Sequence, residues 1–475
     1  MIRGNEYKKL DWPLITCYLI LVIIGWTSIF SSVYDKDHGQ IFDISQRYVM
    51  QFIWIVSSVV IALLVLFIIN PKIYSTLSWI IYGCTILLLL AVGFLGVEVN
   101  GSKSWFEFGP IRFQPAEFSK IATTMVLASL MNDHNFRLKS LAGIVKVALI
   151  ILVPMGIMII MQKETGSALV YTAFIFMLYR EGMSGWYIVF GILAIALFLV
   201  TLGLSPFVAL IVLTITAIIV RGFLSGAALK HLLLSAVILP LMIFSPKLGD
   251  LPSFSGLHLA KELWLSIVII PLLVTHIVKD IKATKEKYWG ITLLFITSVL
   301  FIFSVEFFFE KVLQDHQKVR IENLLGINVD LKGAGYNVHQ SKIAIGSGGF
   351  MGKGFLNGTQ TKYNFVPEQS TDFIFCTVGE EWGFIGSSML ILLYLYLIIR
   401  ILNLADKQRD SFNRIFGYSL ASILFLHFFI NIGMTMGLIP VIGIPLPFIS
   451  YGGSSLLSFT IFLFIFIKLD LDRWK

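Results

Sequence analysis

The sequence predicts an all-α polytopic membrane protein of about fourteen transmembrane helices with one large extracytoplasmic loop, and three observations carry that expectation. Of the residues, 57% are hydrophobic and 13% charged, with a mean hydropathy of +0.85, a balance that does not suit a water-facing surface. Apolar runs of about 15 to 25 residues, each near the length that crosses a hydrocarbon core of roughly 30 Å, alternate with short polar connections. Cations fall in every second connection. Lipid offers no partner to an open backbone, so the runs read as helices.

In order, the predicted spans are Trp12–Phe30, Tyr48–Ile69, Tyr74–Leu95, Glu117–Met131, Leu141–Met161, Gly166–Tyr179 and Trp186–Leu202. Pro206–Val220, Leu232–Phe244, Glu262–Val278, Trp289–Phe308, Asp372–Ile399, Ile415–Leu438 and Phe448–Ile467 complete the set. Arg3, Lys8 and Lys9 precede the first span, and Lys72, Arg137, Lys139, Arg180, Arg221 and Lys230 follow in alternate connections. Lys279 to Lys287, Arg400 to Arg414 and Lys468 to Lys475 continue the pattern, which places both termini in the cytoplasm. The formal charge of +8 reflects this inner-face bias and attraction to anionic membrane lipids, so no nucleic-acid partner is expected. The first run has a basic flank but no small-residue cleavage site and reads as a retained anchor.

Cys17, Cys84 and Cys376 lie inside apolar spans, where thiols behave as small hydrophobes, and no disulfide is expected. The eight histidines form no pair at zinc-ligand spacing. GSGGFMGKG fails the phosphate-loop pattern, which needs glycine at Ser347 and a hydroxyl at Gly354. Its glycines are expected to give close backbone approach and exposed N–H groups beside a large or anionic ligand.

No fixed-period repeat or proline- and serine-rich linker divides the chain, so a single domain spanning 1–475 is expected. Residues 310–371 make a connection of about sixty residues that should contain short helices on the outer face. Val97–Ser119 and the proline-broken turn Ile439–Pro447 lie on the same side.

Several charged residues have two readings. Trp105 with Lys103 and Arg112 fits interfacial anchoring, but Glu117 and Lys120 stand three apart on one helical face and would make a polar pocket. Gln162-Lys163-Glu164 breaks two spans abruptly. Glu380 and Glu381 lie about 12 Å deeper than Asp372 along the same span, where acids face a cavity or lock helices together as ion pairs. Asp330 stands in the long loop between His316, Lys318 and Arg320 upstream and Lys342 downstream, either as a turn aspartate or as a functional acid.

Taken together, WFEFGPIRFQPAEFSK, QKETGS, HQKVRI, DLKGAGYNVHQSKIAIGSGG, GKGFLNGTQ, FVPEQSTDFIF, GEEWGFIG and NIGMTMGLIPVIGIPLPFISYGGSS resemble the SEDS family, the RodA, FtsW and SpoVE group. GTQ before the VPE segment and PVIGIPLPFISYGG resemble its RodA branch. Leu331 stands where the family usually has proline, and Lys163-Glu164 where it has Pro-Asp. The family's usual ten spans imply that 186–290 holds about four inserted helices, an even number that keeps the sidedness.

The resemblance implies a peptidoglycan glycosyltransferase that polymerises lipid II at the outer face of the bacterial cytoplasmic membrane, for cell elongation and rod shape. It implies Asp330 as general base in the loop 310–371. Arg112, Lys120, Arg320 and Lys342 would hold the diphosphate, with Glu117 orienting Lys120 and with Trp105, Glu368 and Asp372 lining the substrate cavity. A divalent cation, magnesium or manganese, is a candidate aid. Undecaprenyl diphosphate leaves, and a class B penicillin-binding protein, a transpeptidase, is the implied partner. Competing readings are a lipid II flippase or membrane transporter, and a scaffold for the transpeptidase.

Overall fold

A computed structural model of the protein describes residues 10–33, 46–99, 101–109, 111–225, 286–311, 313, 315–327, 335–363 and 365–473. The expected spans Leu232–Phe244 and Glu262–Val278 lie outside the described residues, as does Asp330. Packing divides the chain into two units, residues 1–185 with 331–475, and residues 186–330.

The first unit begins with α1 (Trp12–Val33), α2 (Arg47–Phe67), the short α3 (Lys72–Thr76) and α4 (Ser78–Leu95). At 22 residues, α1 is about 33 Å long, enough to cross a membrane. After α4 come three short strands, β1 (Val97–Val99), β2 (Ser102–Phe108) and β3 (Ile111–Phe113), paired antiparallel in that order. They correct the all-α expectation. Val97–Phe113 is too short and too polar to span lipid, and Gly101 and Gly109, with φ of 83° and 62°, supply the backbone that tight turns between strands require.

Next come α5 (Pro115–Met131), α6 (Leu141–Ile160), α7 (Thr165–Val170), a 3₁₀ turn and α8 (Phe174–Arg180). Pro115 opens α5, where its missing N–H costs nothing, and Ser140 caps α6 by accepting the Gly143 N–H. From the second half of the sequence come α13 (Tyr336–Ser347), α14 (Thr359–Lys362), α15 (Ile374–Asp406), α16 (Ser411–Thr435) and α17 (Gly453–Asp472). Tyr18, Phe174, Tyr394, Phe416, Phe459 and Phe466 are among the largest side chains sealed in this unit's core.

The second unit holds α9 (Trp186–Gly203), α10 (Pro206–Ser225), α11 (Glu286–Lys311) and α12 (Asp315–Leu325). Leu197, Ala209, Leu210, Leu213, Ile218 and Ile302 form its core. Thr201 and Thr214 return their hydroxyls to the carbonyls of Leu197 and Leu210, which lets polar side chains sit in apolar helices.

Among the described residues, eight helices are long and apolar enough to cross a membrane, and Pro206–Val220 and Leu293–Phe309 are shorter apolar stretches. The protein is an integral membrane protein. The expected run Gly166–Tyr179 is broken into α7, a 3₁₀ turn and α8. Residues 310–371 include α12, α13 and α14.

The first unit has two distinct ends. At the ribbon end lie the strands, the start of α5, the α6–α7 connection and the turn before α17. The opposite end is tied by ion pairs: Arg400 forks onto Asp11 (2.6 and 3.1 Å), Arg414 onto Glu181 (2.8 and 2.9 Å), and Arg180 meets Asp406 at 2.5 Å.

Candidate functional site

α5 starts at the ribbon end, so its first turns carry Glu117 and Lys120 into the unit's interior. The two are 3% and 1% exposed, and Lys120 Nζ donates to Glu117 Oε1 at 2.8 Å. A second oxygen of Glu117 accepts from Ser458 at 3.3 Å. Lys120 Nζ also meets His427 Nε2 at 3.0 Å and stands 5.0 Å from the centre of the Phe459 ring. The (i, i+3) relation expected from sequence is present, but Lys120 is enclosed by Glu117, His427 and Phe459 instead of presented at a surface.

Above the pair, the α6–α7 connection brings in Glu164. Gln114 Nε2 donates to its Oε1 at 2.5 Å, Ser167 donates to the same oxygen, and Oε2 is buried with no hydrogen-bond partner among the described residues. Burial pushes the Glu164 carboxyl above the usual carboxylate range. The hydrogen bond from Ser167 opposes that shift, Glu117 adds to it and the Lys120 charge opposes it. Thus Glu164 is electrostatically part of the Glu117–Lys120 cluster. The ribbon is pinned to this connection by the Lys103 N–H and the Ser102 hydroxyl, both donating to the Gln162 carbonyl at 3.0 Å.

The turn Ile439–Pro447 cannot hold itself, because Pro440, Pro445 and Pro447 have no N–H to give. Helix side chains capture its carbonyls instead. Asn431 donates to Ile444 O (2.8 Å), His427 Nδ1 pairs with Pro445 O (3.1 Å) and the Tyr394 hydroxyl donates to Pro447 O. Gly25 of α1 lets the chain at Phe448–Ile449 approach so closely that a Cβ there would lie 2.6 Å from Ile449 Cα.

The remaining expected residues are distributed as follows. Arg112 is exposed on β3, pairs with Glu107 at 2.6 Å and gives its backbone carbonyl to Ser454. Trp105 is partly buried in β2, opposite Val97. Glu368 is exposed, 3.7 Å from Arg47, whose guanidinium also donates to Ser370 Oγ (2.6 Å) and lies 5.9 Å from the centre of the Tyr451 ring. The backbone carbonyl of Asp372 accepts from Asn431 at 2.9 Å. Lys342 lies against the end of α16, its Cε 2.3 Å from where a Cβ on Gly437 would sit. Arg320 is partly exposed on α12, in the second unit.

Glu380 and Glu381 are turned onto the segment 353–361, and Glu381 also onto Ser31 of α1. Glu380 accepts from Lys353 Nζ (2.7 Å), Thr359 Oγ1 (3.2 Å), Gln360 N (2.9 Å), Thr361 N (3.0 Å) and Thr361 Oγ1 (2.9 Å). Glu381 accepts from Leu356 N at 3.1 Å and from Ser31. The glycine string is consumed the same way: a Cβ on Gly348 would lie 2.0 Å from Gly379 O, and one on Gly352 2.1 Å from Glu381 O. These glycines approach the backbone of α15: Lys353 and Gly354 donate their N–H groups to the carbonyls of Glu380 and Glu381, while the N–H groups of Leu356, Gln360 and Thr361 go to the two carboxylates.

Among the described residues, four non-glycine residues have positive φ, namely Lys163 (56°), Leu356 (63°), Glu368 (50°) and Phe448 (67°). All lie in ribbon-end connections, and such strain persists only where surrounding contacts fix it, commonly at functional sites. The signals missed in the sequence were His427, Ser458, Arg47 and Tyr451. His427 and Asn431 stand four apart on α16, a same-face spacing that marks a shared target.

The sequence pattern of the FtsW/RodA/SpoVE family, described as cell cycle proteins, matches residues 11–226 and 265–473. The chain belongs to that family. The peptidoglycan glycosyltransferase RodA of Treponema pallidum is 31% identical over 458 residues, covering 96% of this chain and 95% of that protein. The peptidoglycan glycosyltransferase MrdB of Escherichia coli K12 is 28% identical over 459 residues, covering 96% and 94%. The rod shape determining protein RodA of Thermus thermophilus aligns with a TM-score of 0.56 at 20% identity over 98% of each chain. A chain from a peptidoglycan synthase complex, solved for the structural coordination of polymerization and crosslinking, gives 0.59 at 22% identity over 98% and 99%. These structural likenesses concern the fold. The family pattern leaves 227–264 unmatched, a shorter stretch than 186–290.

Proposed function

We infer that this chain is a peptidoglycan glycosyltransferase of the cell-elongation type, polymerising lipid II at the outer face of the bacterial cytoplasmic membrane. The observation that carries the reading is the Glu117–Lys120 pair. Burying two charges at a membrane helix costs several kcal/mol per ion before attraction repays it, so the pair is retained for work at the ribbon end. Family membership supplies the class of that work.

The 4-hydroxyl of an incoming disaccharide attacks the anomeric carbon of the growing strand, the bond to undecaprenyl diphosphate breaks, and a base takes the hydroxyl proton. Asp330 as that base, and Arg320 as a diphosphate ligand, rest on the sequence resemblance alone. Arg112 and Arg47, exposed at the ribbon end, are the cations best supported for the leaving diphosphate. The enclosed Lys120 acts through its field and by holding Glu117, while Lys342, Trp105, Glu368 and Asp372 shape the surroundings. Among the described residues no three His, Cys, Asp or Glu side chains converge as a metal-holding group.

The alternating cations support cytoplasmic termini and an extracytoplasmic ribbon end. A synthase complex among the structural relatives supports a class B penicillin-binding protein as partner. The test incubates the purified chain, that partner and labelled lipid II. Glycan polymer is expected, and Asp330→Asn abolishes it with partner binding kept. Polymer unchanged in that variant removes Asp330 as base; labelled lipid crossing vesicle membranes without polymer supports the transporter instead.

A further inference from the structure

His427 sits at the junction of the Glu117–Lys120 pair and the proline turn 439–447. Its ring is 1% exposed on α16, 307 residues from Lys120 in sequence and 3.0 Å from it in space. Phe459 stacks edge-on against the ring at 4.9 Å between centroids, and the same Phe459 lies beneath the Lys120 ammonium. The imidazole is therefore held by packing as well as by its two nitrogens.

The tautomer follows from the partners. Pro445 O is a carbonyl and only accepts, so Nδ1 carries the proton. The Lys120 ammonium only donates, so Nε2 offers its lone pair. Two independent partners thus demand the same neutral ring, protonated on Nδ1. Without His427, the only hydrogen-bonding partner of the Lys120 ammonium among the described residues would be Glu117, three residues away on the same helix, with Phe459 packing against it but fixing no direction. The second anchor, from a different helix, fixes the ammonium in place.

We propose that His427 is a positioning residue for the glycosyl-transfer site. As a neutral Nδ1–H imidazole it locks the Lys120 ammonium against Glu117 and couples that charge pair to the proline turn 439–447. Asn431, one helical turn further on α16, holds the same turn through Ile444 O, so one face of α16 registers the turn and the charge pair together. The proposal deepens the glycosyltransferase reading and rests on it for its kinetic consequence, but not for the ring's geometry.

Two substitutions separate positioning from bulk. Glutamine places an amide oxygen and an amide N–H at a spacing close to that of the two ring nitrogens, so His427→Gln can accept from Lys120 and donate to Pro445 O; His427→Leu fills the volume and does neither. In the full chain with its transpeptidase partner and labelled lipid II, His427→Leu is expected to lower kcat by about 10- to 100-fold with little change in KM, while His427→Gln stays within about threefold of wild type. Equal loss in both variants, or no loss in either, overturns the proposal. So does a fall in activity matched by an equal fall in the amount of folded protein.

A second readout does not depend on activity. Histidine-labelled full chain in lipid nanodiscs should show, by ¹⁵N chemical shift, a His427 ring protonated at Nδ1 and bare at Nε2, with the Nε2 signal moving in Lys120→Met. A doubly protonated ring, the opposite tautomer, or a signal indifferent to Lys120→Met contradicts the assignment. If wild-type protein makes no polymer, the glycosyltransferase reading fails while this nitrogen measurement still decides the geometry.

Discussion

Glu380 and Glu117 are both carboxylates near the ribbon end of apolar helices, 0% and 3% exposed, yet they keep different company. Glu380 receives donors from one continuous stretch, Lys353 to Thr361, including two backbone N–H groups. With its acceptor capacity filled, it works as a staple for a loop. Glu117 has one ammonium and one long hydroxyl contact, and its neighbour Glu164 keeps a buried oxygen with no hydrogen-bond partner among the described residues. Glu380 is saturated and organises structure, whereas the Glu117–Lys120–Glu164 group holds two acids and a lysine with fewer donors; Glu381, beside Glu380, also keeps one buried oxygen without a partner among the described residues, so an unfilled acceptor alone does not mark a functional acid. Residue type and depth alone do not separate the two cases. The donor count separates Glu380 from Glu117.

The largest expected effect comes from emptying the staple. Glu380→Ala strands the Gln360 and Thr361 N–H groups and the Lys353 ammonium, and should cost about 3 kcal/mol or more. The check is the fraction of folded, monodisperse protein after mild heating in detergent; Glu380→Gln, which keeps acceptor oxygen, should lose less. Lys120→Met alone leaves a buried uncompensated carboxylate and should also destabilise by about 3 kcal/mol. If Glu380→Ala proves harmless, the contrast between the two clusters collapses.

The glycines sharpen the comparison on a smaller scale. Gly352→Ala would drive a methyl to 2.1 Å from Glu381 O at a φ of 81°, whereas Gly346 has nothing within 4 Å of a Cβ. A thermal-shift measurement should therefore find Gly352→Ala clearly destabilised and Gly346→Ala near wild type.

The smallest expected effect is pH-linked. The Glu164 carboxyl is raised above the usual carboxylate range, chiefly by burial, so the folded protein holds that proton more tightly than the unfolded chain. Its contribution to stability is complete below the unfolded value and is lost as pH rises through the folded one. Melting temperature should fall across that window in wild type, and Glu164→Gln should flatten that part of the profile. An unchanged slope would place Glu164 in ordinary solvent contact.

Much of this was legible in the sequence. Apolar runs of membrane length located the long helices, and the three-residue spacing of Glu117 and Lys120 gave their contact, because both signals are local and periodic. The ribbon was not legible as strands, since Ser102–Phe108 is short and sits where aromatic anchoring explains the same residues. His427 was invisible because its partners, Lys120 and Pro445, reach it through tertiary packing across 307 and 18 residues. The close approach of the glycine string was legible from its composition, but its target, the backbone of α15 at Gly379 and Glu381, lies across tertiary packing that nothing local shows. The insertion of Glu164 into the charge cluster was masked by its place in an apparently ordinary turn.

The central claim is that the Glu117–Lys120 pair is retained for chemistry and not for the fold. It is tested most directly by the double substitution Glu117→Gln with Lys120→Met, which removes both charges and leaves neither stranded. Melting temperature and glycan polymerisation from labelled lipid II are measured on the same preparation with the transpeptidase partner present. The account predicts folding close to wild type and polymerisation reduced by about 100-fold or more. Polymerisation within about twofold of wild type in a well-folded double variant would contradict it.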